Sequence, residues 1–278
     1  MNSGRRSVPH SRSKRHRLAD HVRERIHDGR YPAGDRLPTE EDLAAQHDVS
    51  RNTVRDAMKD LENEGLVIIR QGSGTYVRDS RPIVHLATSV SGGIDSERFR
   101  QGFQPAMKLA GYDRIQEKVA IAILTAQGEV ASRLNIDENL PLAERQIVER
   151  RCDRLVDGEL WQQQLAYYPA SIALNTELMI PEQIERGTHA VLRELGYAQT
   201  WSYDLVGARM PEPRERASFG IPSGVPLLVQ TRVAYAGDTA VRITETLMPA
   251  DRHRLMYAEG DVDEGVLVLG TDVNLIER

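Results

Sequence analysis

The sequence contains one cysteine, Cys152, and few aromatic residues, which make up 5% of its 278 residues. A single cysteine excludes an intramolecular disulfide framework and a zinc site built from several cysteines, and it is typical of a protein in a reducing cytoplasm. No segment approaches the roughly 20 consecutive apolar residues that a membrane-spanning helix requires. The basic N-terminus is followed by no apolar stretch, which argues against a secretory signal. We therefore expect a cytoplasmic protein without a membrane partner.

Charge is unevenly distributed along the chain, although the net charge is only -5. Residues 1–80 contain 15 Lys and Arg against 13 Asp and Glu, whereas residues 81–278 contain 21 against 28. The first 17 residues have no acidic side chain and six basic ones, Arg5, Arg6, Arg12, Lys14, Arg15 and Arg17. Such a basic arm can neutralise nucleic-acid phosphates and release counterions, or it can be a solvated tail without function. Charge alone leaves both interpretations open.

The length of the chain and a change of pattern along it predict two domains. Residues 1–16 are interpreted as a disordered basic arm, and residues 17–78 as three helices followed by a hairpin. Residues 79–104 combine Pro, Gly and Ser with little periodicity, which is typical of a linker. Strands and short helices alternate through residues 105–260, and residues 261–278 form a C-terminal tail.

Two helices are predicted before residue 50. Leu18 recurs with Val22 and Ile26 on one helical face, and Gly29 follows where a left-handed residue commonly ends a helix. A second helix begins at Thr39 because Asp42 follows three residues later, as in a capping box.

The third predicted helix has an apolar face and a face of hydrogen-bond donors. Ser50 caps it, Gly65 ends it, and its donor face carries Arg51, Asn52, Thr53 and Arg55. Arg51 and Arg55 are neighbours on this face, and the planar guanidinium matches O6 and N7 of guanine in the major groove. Asn52 can bind adenine or phosphate, and the hydroxyls of Ser50 and Thr53 lie near the helix N-terminus, where phosphates bind favourably. The alternative is an ordinary solvated helix face.

A hairpin is predicted directly after this helix. Residues 66–70 and 75–77 read as strands around a Gly-Ser-Gly tip, residues 72–74. The glycines permit a tight turn and close approach to nucleic acid, and Arg70, Gln71 and Ser73 can reach phosphate or the groove floor. Such a tip is common, but three helices followed by a hairpin are typical of a winged helix.

The first domain closely resembles the GntR-family winged helix. The resemblance covers residues 29–77 and is carried by G-x-Y-P-x-G-D-x-L-P-T-E, V-S-R-N-T-V-R-D-A, L-x-x-E-G-L and Q-G-S-G-T-Y-V. It implies contacts to bases or the DNA backbone by Arg51, Asn52, Thr53 and Arg55. It also implies that Ser50 and Arg36 contact phosphate and that Gly72 and Gly74 lie in the wing.

The second domain is predicted to be an α+β domain built on an antiparallel sheet. The extended segments are residues 117–124, 142–154 and 160–169; residues 181–195 and 214–222 are helical, and residues 226–249 form a hairpin that turns at Gly237 and Asp238. RRCDRLVDGELWQQQLAYYPASI (150–172) and MPADRHRLMY (248–257) resemble the UTRA domain of the HutC subfamily over residues 105–258. The resemblance implies a chorismate-lyase-like fold, dimerisation, and a small-molecule pocket between the sheet and the helix near residue 189.

Six residues are candidates for binding the effector: Arg151, Arg154, Gln164, Tyr167, His189 and Arg242. Arg154 lies where the subfamily often has an arginine that binds an acidic group of the effector. Gln164 and Arg242 lie where many members have glutamate, so the effector is expected to depend less on carboxylates that accept its hydroxyls. Each arginine is equally compatible with a surface salt bridge, His189 with an ordinary helix face, and Tyr167 with core packing.

These patterns predict a sequence-specific DNA-binding transcription regulator, a repressor by resemblance, that binds an inverted repeat as a homodimer and responds to a small-molecule effector. No cofactor, metal or enzymatic activity is expected. Three alternatives remain: a DNA-binding dimer without an effector, an enzyme that uses the lyase-like fold, and a GntR branch with an all-helical, metal-binding second domain. Few histidines and no nucleophile–histidine pair speak against the last two.

Overall fold

Three helices and a two-stranded hairpin form the first of two compact units, which comprises Met1–Ser80 and Pro222–Val225, while the rest of the chain belongs to the second. The computed structural model describes residues 13–78, 83–86, 103–109 and 111–257. The first unit comprises α1 (Lys14–His27), α2 (Glu40–His47), α3 (Arg51–Asn63), β1 (Val67–Arg70) and β2 (Gly74–Val77). The three helices and the hairpin were all predicted from the sequence. None of the described helices is long and apolar enough to cross a membrane.

Helix α1 begins three residues earlier than predicted. The side chain of Ser13 caps it by accepting a hydrogen bond from the His16 backbone N–H, so residues 14–16 are helical and not part of a disordered arm. Lys14 Nζ donates to the Asp48 carbonyl oxygen at 2.7 Å, and Arg15 Nε lies 2.5 Å from the Asp60 carboxylate. Two cations of the expected basic arm therefore contact their own unit. The remaining expected arm, residues 1–12, lies outside the described residues.

Apolar side chains from all three helices and both strands form the core of the first unit. Leu18, Val22, Val54, Leu61 and Val67 are each at most 1% exposed. The predicted capping box joins Thr39 and Asp42. Because each helix buries the stripe that its apolar spacing predicts, the opposite face of α3 remains toward solvent.

A six-stranded antiparallel sheet dominates the second unit. Its strand order is β4-β5-β6-β9-β8-β7. The strands are β4 (Ile115–Thr125), β5 (Gln146–Val156), β6 (Glu159–Pro169), β7 (Trp201–Arg209), β8 (Leu227–Ala236) and β9 (Thr239–Pro249). The helices are α4 (Phe103–Leu109), α5 (Gly128–Arg133), α6 (Ala170–Ala173), α7 (Thr188–Glu194) and α8 (Pro213–Phe219), with 3-10 turns at Leu142–Arg145 and Glu177–Met179. The antiparallel α+β architecture confirms the predicted fold class and contradicts the all-helical alternative.

Two segments begin later in the structure than the sequence predicted. The strand expected over residues 142–154 begins at Gln146, because Pro141 precedes a 3-10 turn. The helix expected over residues 181–195 is limited to α7, since Gly187 adopts a φ of 77° immediately before it. The predicted hairpin of β8 and β9 turns at Gly237 and Asp238.

The expected linker, residues 79–104, contains a strand. β3 (Ile83–Leu86) pairs in parallel with β10 (His253–Met256) to form a separate two-stranded sheet. The partner strand lies about 170 positions away along the chain, so no local periodicity could indicate the pairing. Most other residues of the expected linker, and the expected tail of residues 261–278, lie outside the described residues.

The two faces of the large sheet pack against different elements. On one face, which we call the α7 face, Val148, Ala166 and Tyr168 pack with Val191 and Leu192 of α7. On the opposite face, which we call the α5 face, Ile147, Tyr167, Val233 and Ile243 pack with Ala131 of α5. Because side chains alternate along a strand, these residues assign the neighbouring polar positions to one face or the other.

Candidate DNA interface and effector site

Helix α3 exposes the donors that the sequence predicted for DNA contact. Arg51, Asn52 and Arg55 are exposed, while Thr53 is half-buried. The Ser50 hydroxyl accepts from the Thr53 backbone N–H at 3.1 Å and lies 2.9 Å from the Thr53 Oγ1 atom. The two hydroxyls thus fix the N-terminus of α3, and the exposed donors follow it within one turn.

The guanidinium of Arg55 is paired with the Glu40 carboxylate at the start of α2. Arg55 Nη2 lies 2.8 Å from Glu40 Oε2, and Arg55 Nε lies 3.2 Å from Glu40 Oε1. This two-point contact orients the plane of the guanidinium without burying it. Glu40 was not among the predicted site residues, because no regular spacing relates it to the donors on α3.

The hairpin carries the four predicted wing residues and brings Arg36 beside them. Gly72 and Gly74 have φ values of 75° and 122°. A Cβ atom at Gly74 would lie 2.7 Å from Arg36 Nε, so the absence of a side chain there makes room for Arg36. The Arg70 guanidinium lies 4.9 Å from the centre of the Tyr76 ring, and the Ser73 hydroxyl lies 2.8 Å from the Tyr76 hydroxyl. Tyr76 thus holds the two wing donors in place.

Arg154 and Gln164, two candidate effector residues, are in contact on the α7 face. Arg154 Nη1 donates to Gln162 Oε1 at 2.5 Å, and its Nη2 donates to Gln164 Oε1 at 3.3 Å. Arg154 Nε also lies 3.1 Å from the carboxylate of Glu117, whose side chain is only 4% exposed. Arg154 therefore has a buried acidic partner within its own domain.

His189 and Arg242 form a second cluster on the α7 face. Arg242 Nη2 donates to His189 Nε2 at 3.0 Å, and Arg242 Nη1 donates to Thr188 Oγ1 at 2.9 Å. Because His189 Nε2 accepts, its ring proton lies on Nδ1. Arg242 on β9 lies opposite Ala234 on β8, and Ala234 packs in the same cluster as α7.

Arg151 and Tyr167 lie on the α5 face and are separated from the other four candidates by the sheet. Arg151 Nη2 lies 2.6 Å from Asp153 Oδ2, so this arginine forms the salt bridge that the sequence left open. Tyr167 packs in the cluster around α5, and burial with nearby Glu149 raises the pKa of its phenol. The sequence could not separate the six candidates, because the register of distant strands decides which residues share a face.

A row of polar side chains crosses the α7 face, and most of its members were missed by sequence reasoning. We call it the polar row, and it contains Arg154, Gln162, Gln164, Thr246, Gln230 and Asp204. It spans five strands, from β5 to β7, and Asp204 also binds Arg232 with an Nε–Oδ1 distance of 2.6 Å. Gln162 and Thr246 are buried, which is uncommon for uncharged polar side chains unless hydrogen bonds compensate them. The sequence signal for this row was the Gln-Gln-Gln segment of β6, because alternation along a strand places its first and third glutamines on the same face of the sheet.

Both units match known families. Residues 14–77 match the bacterial regulatory proteins of the gntR family, and residues 109–254 match the UTRA domain. An uncharacterised HTH-type transcriptional regulator of Streptomyces coelicolor is 30% identical over 208 residues, which cover 71% of this chain and 74% of that protein. The HTH-type transcriptional repressor PhnF of Mycolicibacterium smegmatis is 27% identical over 220 residues, 79% of this chain and 82% of that protein.

A solved structure shares the fold of both units. The crystal structure of a GntR-family transcriptional regulator is 26% identical and superposes with a TM-score of 0.57. The superposition covers 91% of this chain and 99% of the other. These similarities extend over the helices and hairpin of the first unit and the sheet of the second.

Proposed function

The chain belongs to the GntR family of bacterial transcription regulators and carries a UTRA domain, and from this premise we propose that it represses transcription as an effector-controlled homodimer. The exposed donor face of α3 beside the wing is the observation that carries the proposal. We place the DNA-binding domain at residues 17–78, together with the first turn of α1, and the effector domain at residues 105–260. The intervening residues 79–104 contain β3 and connect the two.

DNA recognition is assigned to the two structural elements that offer unburied donors. Arg51, Asn52 and Arg55 on α3 read base edges in the major groove, while Ser50 and Thr53 bind phosphate at the start of that helix. The remaining proposed contacts come from Arg36 and the wing residues Arg70, Gly72, Ser73 and Gly74. The repressor PhnF supports repression as the direction of control. Two such domains related by a two-fold axis would read an inverted repeat.

The effector is proposed to bind on the α7 face, against the polar row and the Arg242–His189 cluster. Arg154 stands at the end of this row, and its guanidinium lies 5.5 Å from the centre of the Phe103 ring on α4. β3 and α4 are the first described segments of the second unit along the chain. An effector that changes the position of Arg154 would thereby change the packing of α4, provided that it binds the two states with different affinity. Arg151 and Tyr167 are not included, since they lie on the other face.

Dimerisation is assigned to β7, one of the two edge strands of the large sheet. Trp201, Leu205 and Val206 on this strand are 50%, 48% and 47% exposed. An exposed edge strand of nine residues that carries several large apolar side chains is a ready surface for pairing with a second chain. A second copy of the same chain supplies a matching edge, and it gives the two-fold symmetry that an inverted repeat requires.

We propose a binding function without catalysis, in the cytoplasm where the DNA is. The members of the family to which the chain is similar are transcription regulators. Two buried groups that could act as acid or base, His85 and His253, bind each other and the backbone, so their roles are structural. A DNA-binding dimer without an effector remains the second candidate, and it would leave the buried polar row unexplained.

The testing experiment is operator binding by the full chain across a salt series, with DNA from upstream of its own coding region. Specific, salt-sensitive binding is expected, and Arg51→Ala or Arg55→Ala should each cost about 1–3 kcal/mol of discrimination between operator and random DNA. Arg30→Ala removes an exposed arginine that pairs with Asp28 at the end of α1 and serves as the control. Equal loss of operator and random binding in the α3 variants would overturn the base-reading assignment.

A further inference from the structure

Arg242 carries a buried positive charge on the α7 face. Its residue exposure is 7%, and its hydrogen-bond acceptors are the Thr188 hydroxyl, the His189 ring nitrogen and the Gln199 amide oxygen, at 2.9, 3.0 and 3.4 Å. All three acceptors are uncharged. Within the part of the chain that the structure describes, no carboxylate lies within the 4.0 Å of Arg242 that an ion pair requires.

The other buried and half-buried arginines of the sheet and its flanks are compensated differently. The half-buried Arg154 and Arg232 face the carboxylates of Glu117 and Asp204, and the buried Arg252 faces Asp251. Arg150, which is as buried as Arg242, donates to three backbone carbonyls between residues 178 and 182. Removing an arginine from water is strongly unfavourable unless an opposite charge or a full set of acceptors replaces the solvent. Arg242 has neither.

Two further donors at this cluster have no acceptor. Arg242 Nε and Gln199 Nε2 are both buried without a hydrogen-bond partner, and the two side chains are in contact through Gln199 Oε1. Leaving a buried donor unpaired is unfavourable, because the group loses its hydrogen bonds to water without replacement. One group with several acceptor oxygens and a negative charge would satisfy both donors and offset the charge of the guanidinium. Thr188 is half-buried and His189 is exposed, so the cluster lies directly below the surface.

We infer that Arg242, with Gln199, binds an anionic oxygen group of the effector, a carboxylate or a phosphate. This rests on the proposed effector function of the domain and gives that effector a charge. The polar row, about 13 Å away as judged from the separation of four positions between Arg242 and Thr246 on β9, then contacts the uncharged part of the molecule. Glutamate at position 242 would repel such a group, so the arginine changes the class of ligand that this domain accepts.

Thermal unfolding of the full chain tests the inference with defined anions. Inorganic phosphate, methyl phosphate, acetate and succinate are titrated at constant ionic strength against chloride, and the wild type is compared with Arg242→Gln and Arg193→Gln. Arg193 is an exposed arginine on α7, one turn after His189, so its variant removes the same charge from the helix that contacts Arg242 without touching Arg242 itself. A saturable rise in Tm is expected for the wild type and for Arg193→Gln. The apparent affinity should fall about tenfold or more in Arg242→Gln. Preference for the acetate and succinate arm or for the phosphate arm identifies the group.

Two results would overturn the inference: no anion raises the Tm of the wild type, or Arg242→Gln responds as the wild type does. Far-UV circular dichroism and a cooperative unfolding transition, measured in the same samples, show that each variant is folded, and operator binding is measured separately. Specific operator binding without any anion response overturns only the anion site. An anion response that depends on Arg242, without specific DNA binding, supports the site and overturns the proposed regulatory function.

Discussion

The Nε2 atom of His85 on β3 lies 2.8 Å from Nδ1 of His253 on β10. His253 Nε2 lies 2.9 Å from the Trp161 carbonyl oxygen and therefore donates to it, so His253 Nδ1 must accept the proton of His85. Both rings are neutral in this arrangement. Burial lowers the pKa of His85 to about 4, with Arg154 adding repulsion, and burial lowers the pKa of His253 well below its ordinary value.

This histidine pair makes the second unit sensitive to acid. Below about pH 6.5 the unfolded chain binds a proton at His85 that the folded protein does not bind until about pH 4, the lowered pKa of that residue, so stability falls as the pH falls through this window. The contribution of His85 amounts to about 2 kcal/mol between pH 7.5 and pH 5. Urea unfolding followed by tryptophan fluorescence measures it, because both tryptophans, Trp161 and Trp201, lie in the second unit.

His85→Gln should show a smaller loss of stability between pH 7.5 and pH 5 than the wild type, since glutamine keeps a donor but does not titrate. His27→Gln, at the exposed end of α1, is the control and should lose as much as the wild type. The assignment is wrong if His85→Gln and wild type have the same pH dependence.

Because Glu40 orients Arg55, we expect a substitution of Glu40 to change the affinity for random DNA and the preference for the operator in opposite directions. In Glu40→Gln the guanidinium of Arg55 is no longer held in one plane, and a negative charge is removed from the DNA-facing surface. Binding to random DNA should strengthen a few-fold, while the preference for the operator falls. Fluorescence anisotropy with operator and scrambled duplexes measures both quantities. Glu41→Gln, which removes an adjacent exposed acid without a contact to Arg55, should strengthen both without changing their ratio.

The first unit was predictable from its sequence because its contacts are local. The apolar spacing of Leu18, Val22 and Ile26, the Thr39–Asp42 box and the Gly-Ser-Gly tip each concern residues within one element. The start of α1 was misplaced because Lys14 and Arg15 were assigned to the disordered basic arm. The sequence does not show that both side chains contact groups of their own unit.

The effector face was not predictable to the same degree. Arg151 and Arg154 are three residues apart on β5 and point to opposite faces, which follows from alternation only after the strand and its partners are placed. The β3–β10 pair and the contact of Arg242 with α7 join segments that are far apart in the sequence. Such long-range pairings leave no periodic signal in either segment.

The wing offers a test of how Arg36 is positioned. Gly74→Ala places a Cβ atom 2.7 Å from Arg36 Nε at a φ of 122°, where L-residues are strained, so it should destabilise the first unit by about 1–3 kcal/mol and displace Arg36. In Gly72→Ala the added Cβ atom has no neighbour within 4 Å, so the only cost is that of a left-handed backbone conformation for an L-residue, roughly 1–2 kcal/mol of stability. DNA affinity should fall more for Gly74→Ala than for Gly72→Ala. Equal affinities in the two variants would mean that Arg36 does not depend on the gap at Gly74.

A single charged substitution on the exposed edge strand β7 tests whether the protein dimerises through this strand. Leu205 lies in the middle of β7 and is 48% exposed, so Leu205→Lys puts a charge at the centre of the proposed interface, where two-fold symmetry brings a second lysine near it. Sedimentation velocity should show monomers at concentrations where the wild type is dimeric. Leu142→Lys is the control, since Leu142 is 65% exposed in a 3-10 turn outside β7.

The same variant connects the dimer to DNA recognition. A monomer retains one α3 and one wing, so Leu205→Lys should bind a single half-site as the wild-type domain does but lose the additional affinity for a complete inverted repeat. Circular dichroism distinguishes this outcome from unfolding, because the six-stranded sheet must persist for the comparison to hold. If Leu205→Lys remains dimeric and keeps its affinity for the complete repeat, the dimer forms through another surface and β7 is an edge protected in some other way.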